Sequence, residues 1–410
     1  MLHRQRTQWR ILNTLAMNLK LRILSFLSAF LFITNTFGAI NLTPNAKISL
    51  LTCGPGSQIH AFYGHSALRI KDPALGIDHV FNYGIFSFDS NNFIYKFSKG
   101  ETDYMLAGYS FKRFLAGYEV DNRSVFEQDL NLTMHERQQL FNALQENAKP
   151  ENRVYRYNFF FDNCATRVRD IVKNNVDGTI AFRTESKHNK TFRQLIDDYQ
   201  GKFAWVDLGI DLVVGAPADT IAGAYAEMFL PDYMLEQFSE ASIIKGNNSR
   251  KLASDTKTLF LASPEKERSW LLHPVTIFGV ILLIILALSL KQLKAKSTSP
   301  RLDNIIYGIT GFIGIIVFWF ILYSEHPAMR PNWNILWALP TNFIFAILNS
   351  FKGLKAKLKW YHKFSAIWLA LFLLFSFIIP QSFNPVIYII AMIVLIRSLL
   401  NVIQLKQLRP

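Results

Sequence analysis

The chain has 410 residues, half of them apolar, with 35 phenylalanines and a formal charge of +14, a length that allows two or three domains. The charge is unevenly spread: residues 270–410 carry 13 Lys and Arg against Asp303 and Glu325, residues 1–39 carry five basic side chains and no acidic one, and 40–269 is left at −2. A nucleic-acid binder concentrates positive charge on its folded domain, so this pattern excludes nucleic acid as the partner and assigns the basicity to membrane topology.

In chain order, residues 1–39 are expected to be an export signal. From Met17, an alternative start, "MNLKLRILSFLSAFLFITNTFGA" gives Lys20 and Arg22, then an apolar core of roughly a dozen residues, then small Gly38 and Ala39. Phe37 spoils one cleavage register, which leaves an uncleaved anchor as the other reading. "LLTCG" at 50–54 resembles a lipoprotein cleavage box, but polar "NLTPNAKIS" separates it from the apolar core. Either export route puts 40–265 outside the cytoplasmic membrane.

That segment mixes strands and helices. "AKISLLT", "HSALRI" and "HVFNYGIF" alternate or run apolar like short strands. "TMHERQQLFNALQEN" opens with Thr133 and Glu136 at capping-box spacing and predicts a helix. "DNCATRVRDIVKNN" predicts another, with Asp162 as N-cap, Ala165, Val168, Ile171 and Val172 on one face, and Arg167, Arg169 and Lys173 outward. "TFRQLIDDYQ" and "PDYMLEQFSEA" add two more helices, and polar "KGNNSRKLASDTK" (245–257) is expected to be the tether to the next domain.

Residues 266–410 read as a membrane domain. Five apolar runs, 271–290, 305–323, 333–350, 363–380 and 385–403, each approach the ~20 residues that a bilayer core requires. The connections "KQLKAKSTSPRLDN" and "KGLKAKLKWYHK" are dense in Lys and Arg, whereas "SEHPAMRPN" and "QSFN" hold one basic residue between them. The positive-inside rule makes the basic loops cytoplasmic, so the first span enters from outside, in agreement with the export signal.

Three chemistries compete for Cys164. Near a helix start, unpaired N–H groups and the macrodipole favour a thiolate. Two cysteines in an exported domain can instead pair as Cys53–Cys164, and a buried inert thiol is the third reading. His65 begins the strand in "YGHSALRI" and projects into whatever groove faces the sheet; a lone His is also commonly structural. On the next strand Asn82 can hydrogen-bond the far nitrogen of a catalytic imidazole, with His79 as rival. His60 and His65 lack an acidic partner at ligand spacing, so no metal or other cofactor is expected.

The order His-strand, polar-residue strand, then "NC" opening a helix resembles the permuted papain-like fold of the NlpC/P60 superfamily. More closely, "LLTCGPG", "FYGHSALRIKDPALGIDHVFNYGIF", "ENRVYRYNFFFDNCATRVRD", "GIDLVVGAPAD", "MFLPDYM" and "SEHPAMRPNWNILWALPTN" resemble the Lnb-type family of bacterial lipoprotein N-acyltransferases, over nearly everything after residue 45. The resemblance implies an α+β, permuted papain-like (NlpC/P60-like) exported domain followed by an all-α bundle of five transmembrane helices. It implies Cys164 as nucleophile, His65 as base and Asn82 as the group orienting His65, in an inner-membrane protein with its catalytic domain in the periplasm. The donor would be a phospholipid and the acceptor a diacylated lipoprotein.

For the oxyanion or substrate the sequence offers Tyr63, Tyr157 and Asn163, and for a headgroup or the incoming lipoprotein His326, Arg330 and Trp333. Cys53 is expected as a thiol near a strand end. The competing functions are a cell-wall cysteine peptidase or amidase, and a disulfide-stapled membrane sensor or scaffold.

Overall fold

The computed structural model describes residues 40–86, 92–264, 269–351, 353–354 and 358–407. The expected export signal, 1–39, lies outside the described residues. The apolar runs of the sequence become the centre of a sheet: β1 (Lys47–Cys53), β2 (His65–Asp72) and β3 (Ile77–Ile85) are paired antiparallel, and β1 is buried from Ile48 to Cys53. Near-continuous burial explains why β1 shows no strict alternation, and it covers Ser49 and Thr52 along with the apolar side chains.

Around them come α1 (Phe93–Lys99), β4 (Asp103–Ser110), α2 (Phe111–Val120), β5 (Val125–Asp129), α3 (Met134–Asn147), β6 (Val154–Arg156) and α4 (Cys164–Asn174). β7 (Thr179–Ala181), α5 (Phe192–Gln200), α6 (Ala204–Val213), α7 (Ala224–Glu227), α8 (Pro231–Glu240), β8 (Ser242–Lys245), β9 (Asn248–Lys251) and β10 (Lys257–Phe260) complete the mixed part. The large sheet has the order β10-β5-β1-β2-β3-β4-β6, and β7-β8-β9 form a small one.

A buried cation ties the central strands together. The Arg69 guanidinium donates to both oxygens of Asp78 at 2.7 Å and to Glu127 at 3.1 Å, under the ring of Phe111. The Thr133–Glu136 capping box forms as its spacing predicts. The expected tether at 245–257 does not exist as such. Its first part is the β8–β9 hairpin, turned at Gly246–Asn247, and its last residue, Lys257, starts β10 on the edge of the large sheet.

The C-terminal part is helical and membrane-like. Among the described residues four helices are long and apolar enough to cross a bilayer: α9 (Pro274–Lys294), α10 (Pro300–Tyr323), the stretch Lys359–Ile378 that begins with α12 (Lys359–Phe375), and α13 (Pro385–Gln407). The expected third span, 333–350, is not a continuous helix. It is a 3-10 turn, Trp333–Leu336, then the eight-residue α11 (Thr341–Leu348), with Pro340 between them.

This segment nevertheless lies along α10. A Cβ on Gly314 would meet Ala338 O at 2.0 Å, one on Gly311 would meet Phe343 N at 2.0 Å, and Asn304 reaches Ser350 at 2.9 Å. Two glycines thus let the backbone of this broken segment, both its turn at Ala338 and the start of α11, lie directly against a membrane helix.

The sheet domain is bonded to one end of these helices. Asn332 Nδ2 donates to Leu212 O and Val213 O, Gly215 N–H donates to Ala328 O at 2.7 Å, and Asn384 Nδ2 donates to Asp207 and Asp211. Trp205 Nε1 donates to Leu272 O just before α9. The connection carrying Lys291, Lys294, Lys296 and Arg301 joins the other ends of α9 and α10.

Candidate active site

The run "NFFFDNC" builds a turn and then a helix start. Asn158 and Asp162 exchange backbone hydrogen bonds, and Asn158 Oδ1 accepts the N–H groups of Phe160 and Phe161. Phe160 is buried against Phe192 and Phe229, which anchors the turn. The N-cap is Asn163, one residue later than expected. Its Oδ1 accepts the Thr166 N–H at 2.9 Å, and the Thr166 hydroxyl accepts the Asn163 N–H at 2.8 Å. Asp162 instead grips Arg167 with both oxygens, at 2.6 and 2.7 Å. Cys164 is therefore the first residue of α4, where free N–H groups and the helix dipole favour negative charge.

Two neighbouring strands bring the imidazole. His65 opens β2, and Asn82 lies on β3, with His65 Nε2 hydrogen-bonded to Asn82 Oδ1. An acceptor at Nε2 places the neutral ring's proton there and leaves Nδ1 to face the Cys164 sulfur. Gly84 makes room for the meeting. At φ +87° its added Cβ would stand 3.3 Å from Cys164 Cβ, 3.8 Å from His65 Cε1 and 3.9 Å from the Tyr155 hydroxyl.

The charges agree with this geometry. Burial pushes the Cys164 thiol up, but the His65 charge and hydrogen bond, with the Ser66 and Ala165 N–H groups, outweigh it and leave the thiol below its ordinary value. For His65, burial acts downward, while Cys164 and Asn82 raise it, with a net upward shift. Each partner stabilises the charged form of the other, which shifts the pair toward thiolate and imidazolium. Cys53 is different. It is a free, fully buried thiol opposite His65 in the β1–β2 pairing, and burial pushes it up to about 12. No Cys53–Cys164 disulfide is present, and Cys53 has the environment of a packed thiol.

Tyr155, on β6, faces the same point. Its ring lies 3.7 Å below the Arg167 guanidinium, and its buried hydroxyl has no hydrogen-bond partner among the described residues. Burial and then the negative charge at Cys164 push this hydroxyl up, so it stays a proton-bearing donor. A sulfur nucleophile, an oriented imidazole and an unused O–H around one point can attack a carbonyl and hold the oxygen that becomes negative.

Residues 37–198 match the family model described as the Lnb N-terminal periplasmic domain, and residues 266–408 match the Lnb transmembrane domain. The chain belongs to the Lnb family. No curated protein and no solved structure matches it.

In this Lnb-family chain the other predicted residues fall in different places. Tyr157 is at the site: it stacks on Tyr104 at 4.0 Å, and burial and then the Cys164 charge push its hydroxyl up. Tyr63 packs on Phe159 and Tyr199, and the charges felt at its hydroxyl are those of Asp197, Asp207 and Asp211. Asn163 commits its side chain to the cap and to the carbonyls of Phe159 and Phe229, which fixes the start of α4. His79, the rival to Asn82, is exposed and packs on Gly108.

His326, Arg330 and Trp333 belong to the domain junction. His326 is hydrogen-bonded to Phe97 O, Arg330 is exposed, and the Trp333 backbone N–H donates to Gln381 Oε1. Arg169 is buried over Tyr225 rather than outward.

Sequence reasoning missed Tyr155 and Gly84, although both signals were present. Tyr155 lies on β6 two residues before Tyr157, which follows the strand's end, and Gly84 lies on β3 two residues after Asn82. One carboxylate trio, Asp197, Asp207 and Asp211, brings ligand atoms within 4.8 Å of one another. Arg193 and Asn384 already engage Asp211, and burial pushes Asp197 up to about 7.

Proposed function

We propose that this protein is a membrane-bound, cysteine-dependent N-acyltransferase. It moves a fatty acyl chain from a phospholipid to the α-amine of the N-terminal diacylglyceryl-cysteine of a lipoprotein. The observation that carries this is the Cys164–His65–Asn82 arrangement on a domain bonded to the ends of apolar membrane helices. The permuted papain-like layout belongs to the same proposal, with the His strand before the Cys helix in the chain and the sheet domain in the periplasm above an inner-membrane bundle.

His65 takes the Cys164 proton on Nδ1, and the thiolate attacks the ester carbonyl carbon. The carbonyl π pair moves to oxygen, where the Tyr155 O–H and N–H groups at the start of α4 hydrogen-bond it. When the intermediate collapses, the C–O bond breaks and the leaving alkoxide takes the proton from His65, giving lysophospholipid and a Cys164 thioester. The incoming amine then attacks the thioester. His65 accepts its proton, the amide forms and the Cys164 thiolate departs. An α-amine with a pKa near ~8 has a useful free-base fraction at neutral pH. Thioester to amide is downhill, so the sequence of steps needs no ATP.

Reconstitution in phospholipid vesicles with a diacylated lipopeptide tests this. The expected result is a lipopeptide heavier by one acyl chain, formed by wild type and not by Cys164→Ala. Cleavage of peptidoglycan stem peptides without acyl transfer would overturn it in favour of a cell-wall peptidase.

A further inference from the structure

We propose that an aromatic track from α1 to Tyr157 seats the acyl chain of the donor phospholipid and leads its ester from the membrane surface to Cys164. This rests on the acyl-transfer reading above and adds where the lipid lies.

α1 is "FIYKFSK", and none of its residues is buried: Ile94 is 82% exposed, Tyr95 54% and Phe97 47%. A soluble domain does not gain by holding three such side chains on seven residues in water. Their surroundings supply the reason. α1 is bonded to the end of membrane helix α10, where Ser324 Oγ donates to Ser98 O at 3.0 Å and the Glu325 N–H donates to Lys99 O at 2.7 Å. Tyr95 meets Trp319 of α10 edge-on at 6.1 Å. α1 thus continues the apolar surface of a spanning helix at its aromatic end, the level at which Trp and Tyr mark a bilayer interface. Exposed Lys96, on the same short helix, suits an anionic headgroup.

From there ring follows ring inward. Phe97 stacks on Phe93 at 5.9 Å, Phe93 on Phe86 at 5.6 Å, Phe86 meets Tyr104 at 4.8 Å, and Tyr104 stacks on Tyr157 at 4.0 Å. Phe86 is two residues beyond Gly84, which abuts Cys164, and the hydroxyls of Tyr104 and Tyr157 both feel the Cys164 charge. Four such steps extend on the order of 20 Å, comparable with the ~15 Å depth of hydrocarbon in one leaflet. The membrane-side rings, Phe86, Phe93 and Phe97, remain half-buried or exposed, whereas rings serving only as core would be covered. The occupant that fits is an acyl chain still attached to its glycerol ester, drawn from the leaflet on the side of the sheet domain.

The experiment uses the full chain with Cys164→Ala in phosphatidylethanolamine–phosphatidylglycerol vesicles containing a phospholipid with a photoactivatable diazirine on its acyl chain. Crosslinked peptides are then mapped. Crosslinks at Phe86, Phe93, Ile94, Phe97 or Tyr104 are expected, and crosslinks confined to the spanning helices would overturn the proposal.

In parallel, Ile94→Asp in the otherwise native chain should slow acylation of Cys164 from vesicle lipid about tenfold or more by removing an apolar contact from the interface. Val120→Asp, at an apolar side chain 86% exposed on α2, should not slow it. Equal rates for Ile94→Asp and wild type would also overturn the proposal. The two claims separate cleanly. Crosslinks on the track without an acyl adduct on wild-type Cys164 sink acyl transfer and leave the track standing, and an adduct without those crosslinks does the reverse.

Discussion

Replacing Tyr155 by Phe removes one oxygen and keeps every other contact of the side chain. The ring still packs beneath Arg167 and beside Tyr83, and the β6 backbone still pairs with Tyr104. A buried hydroxyl without a partner costs about 1–3 kcal/mol, so its removal should leave thermal stability unchanged or slightly raised. Loss of one oxyanion donor removes about 2.7–4 kcal/mol of transition-state stabilisation, a rate loss on the order of 10²–10³.

Two reagents separate oxyanion stabilisation from effects on the thiolate. A p-nitrophenyl ester acylates Cys164 through a tetrahedral oxyanion, whereas iodoacetamide alkylates it by displacing iodide at a saturated carbon, with no oxyanion. Tyr155→Phe should slow acylation by that factor and leave alkylation little changed, with both followed by intact mass. Unchanged acylation would refute the assignment. An equal fall in both rates would also refute it, by making Tyr155 a residue that positions the thiolate.

The lowered Cys164 and raised His65 values predict a bell-shaped acylation rate. Activity is lost as falling pH protonates the thiolate, and again as rising pH removes the imidazolium proton needed by the leaving alkoxide. His65→Ala should abolish acylation and move the alkylation profile up toward the ordinary thiol value of 9.0; a profile that does not move would count against the ion pair. Gly84→Ala places a methyl 3.3 Å from Cys164 Cβ at φ +87°, a strain of about 1–3 kcal/mol, and should lower both the melting temperature and the acylation rate. Cys53→Ala should retain adduct formation on Cys164, since Cys53 is a packed thiol pushed up to about 12; loss of the adduct in a folded variant would give Cys53 a chemical role.

Much of this arrangement was legible in the sequence, and the misses have physical causes. Apolar strand runs and capping boxes are local signals, so β1 to β3, α3 and α4 fall where the pattern places them. The N-cap of α4 slipped by one residue because Asp and Asn both cap well; Thr166, three after Asn163, is what completes the reciprocal pair. The supposed tether carried its own hairpin signal, since Gly246–Asn247 between two short strands is a two-residue turn. The third span had the right length and hydropathy, but Asn332, Asn334, Pro340 and Asn342 mark a chain whose polar groups bond to neighbours instead of forming one helix. Tyr155 stayed hidden because which of two tyrosines close in sequence keeps an unused hydroxyl beside Cys164 depends on packing across the sheet. The pairing of Tyr155 with Tyr104 decides that at long range.

In the proposed reaction Cys164 carries an acyl group during turnover. Intact-protein mass spectrometry of the detergent-purified chain, before and after hydroxylamine and beside Cys164→Ala, tests it directly. The expected result is a fatty-acyl mass on Cys164 that hydroxylamine removes and that the variant lacks. A protein two hydrogens light, with a mapped Cys53–Cys164 bridge and no adduct, would contradict it.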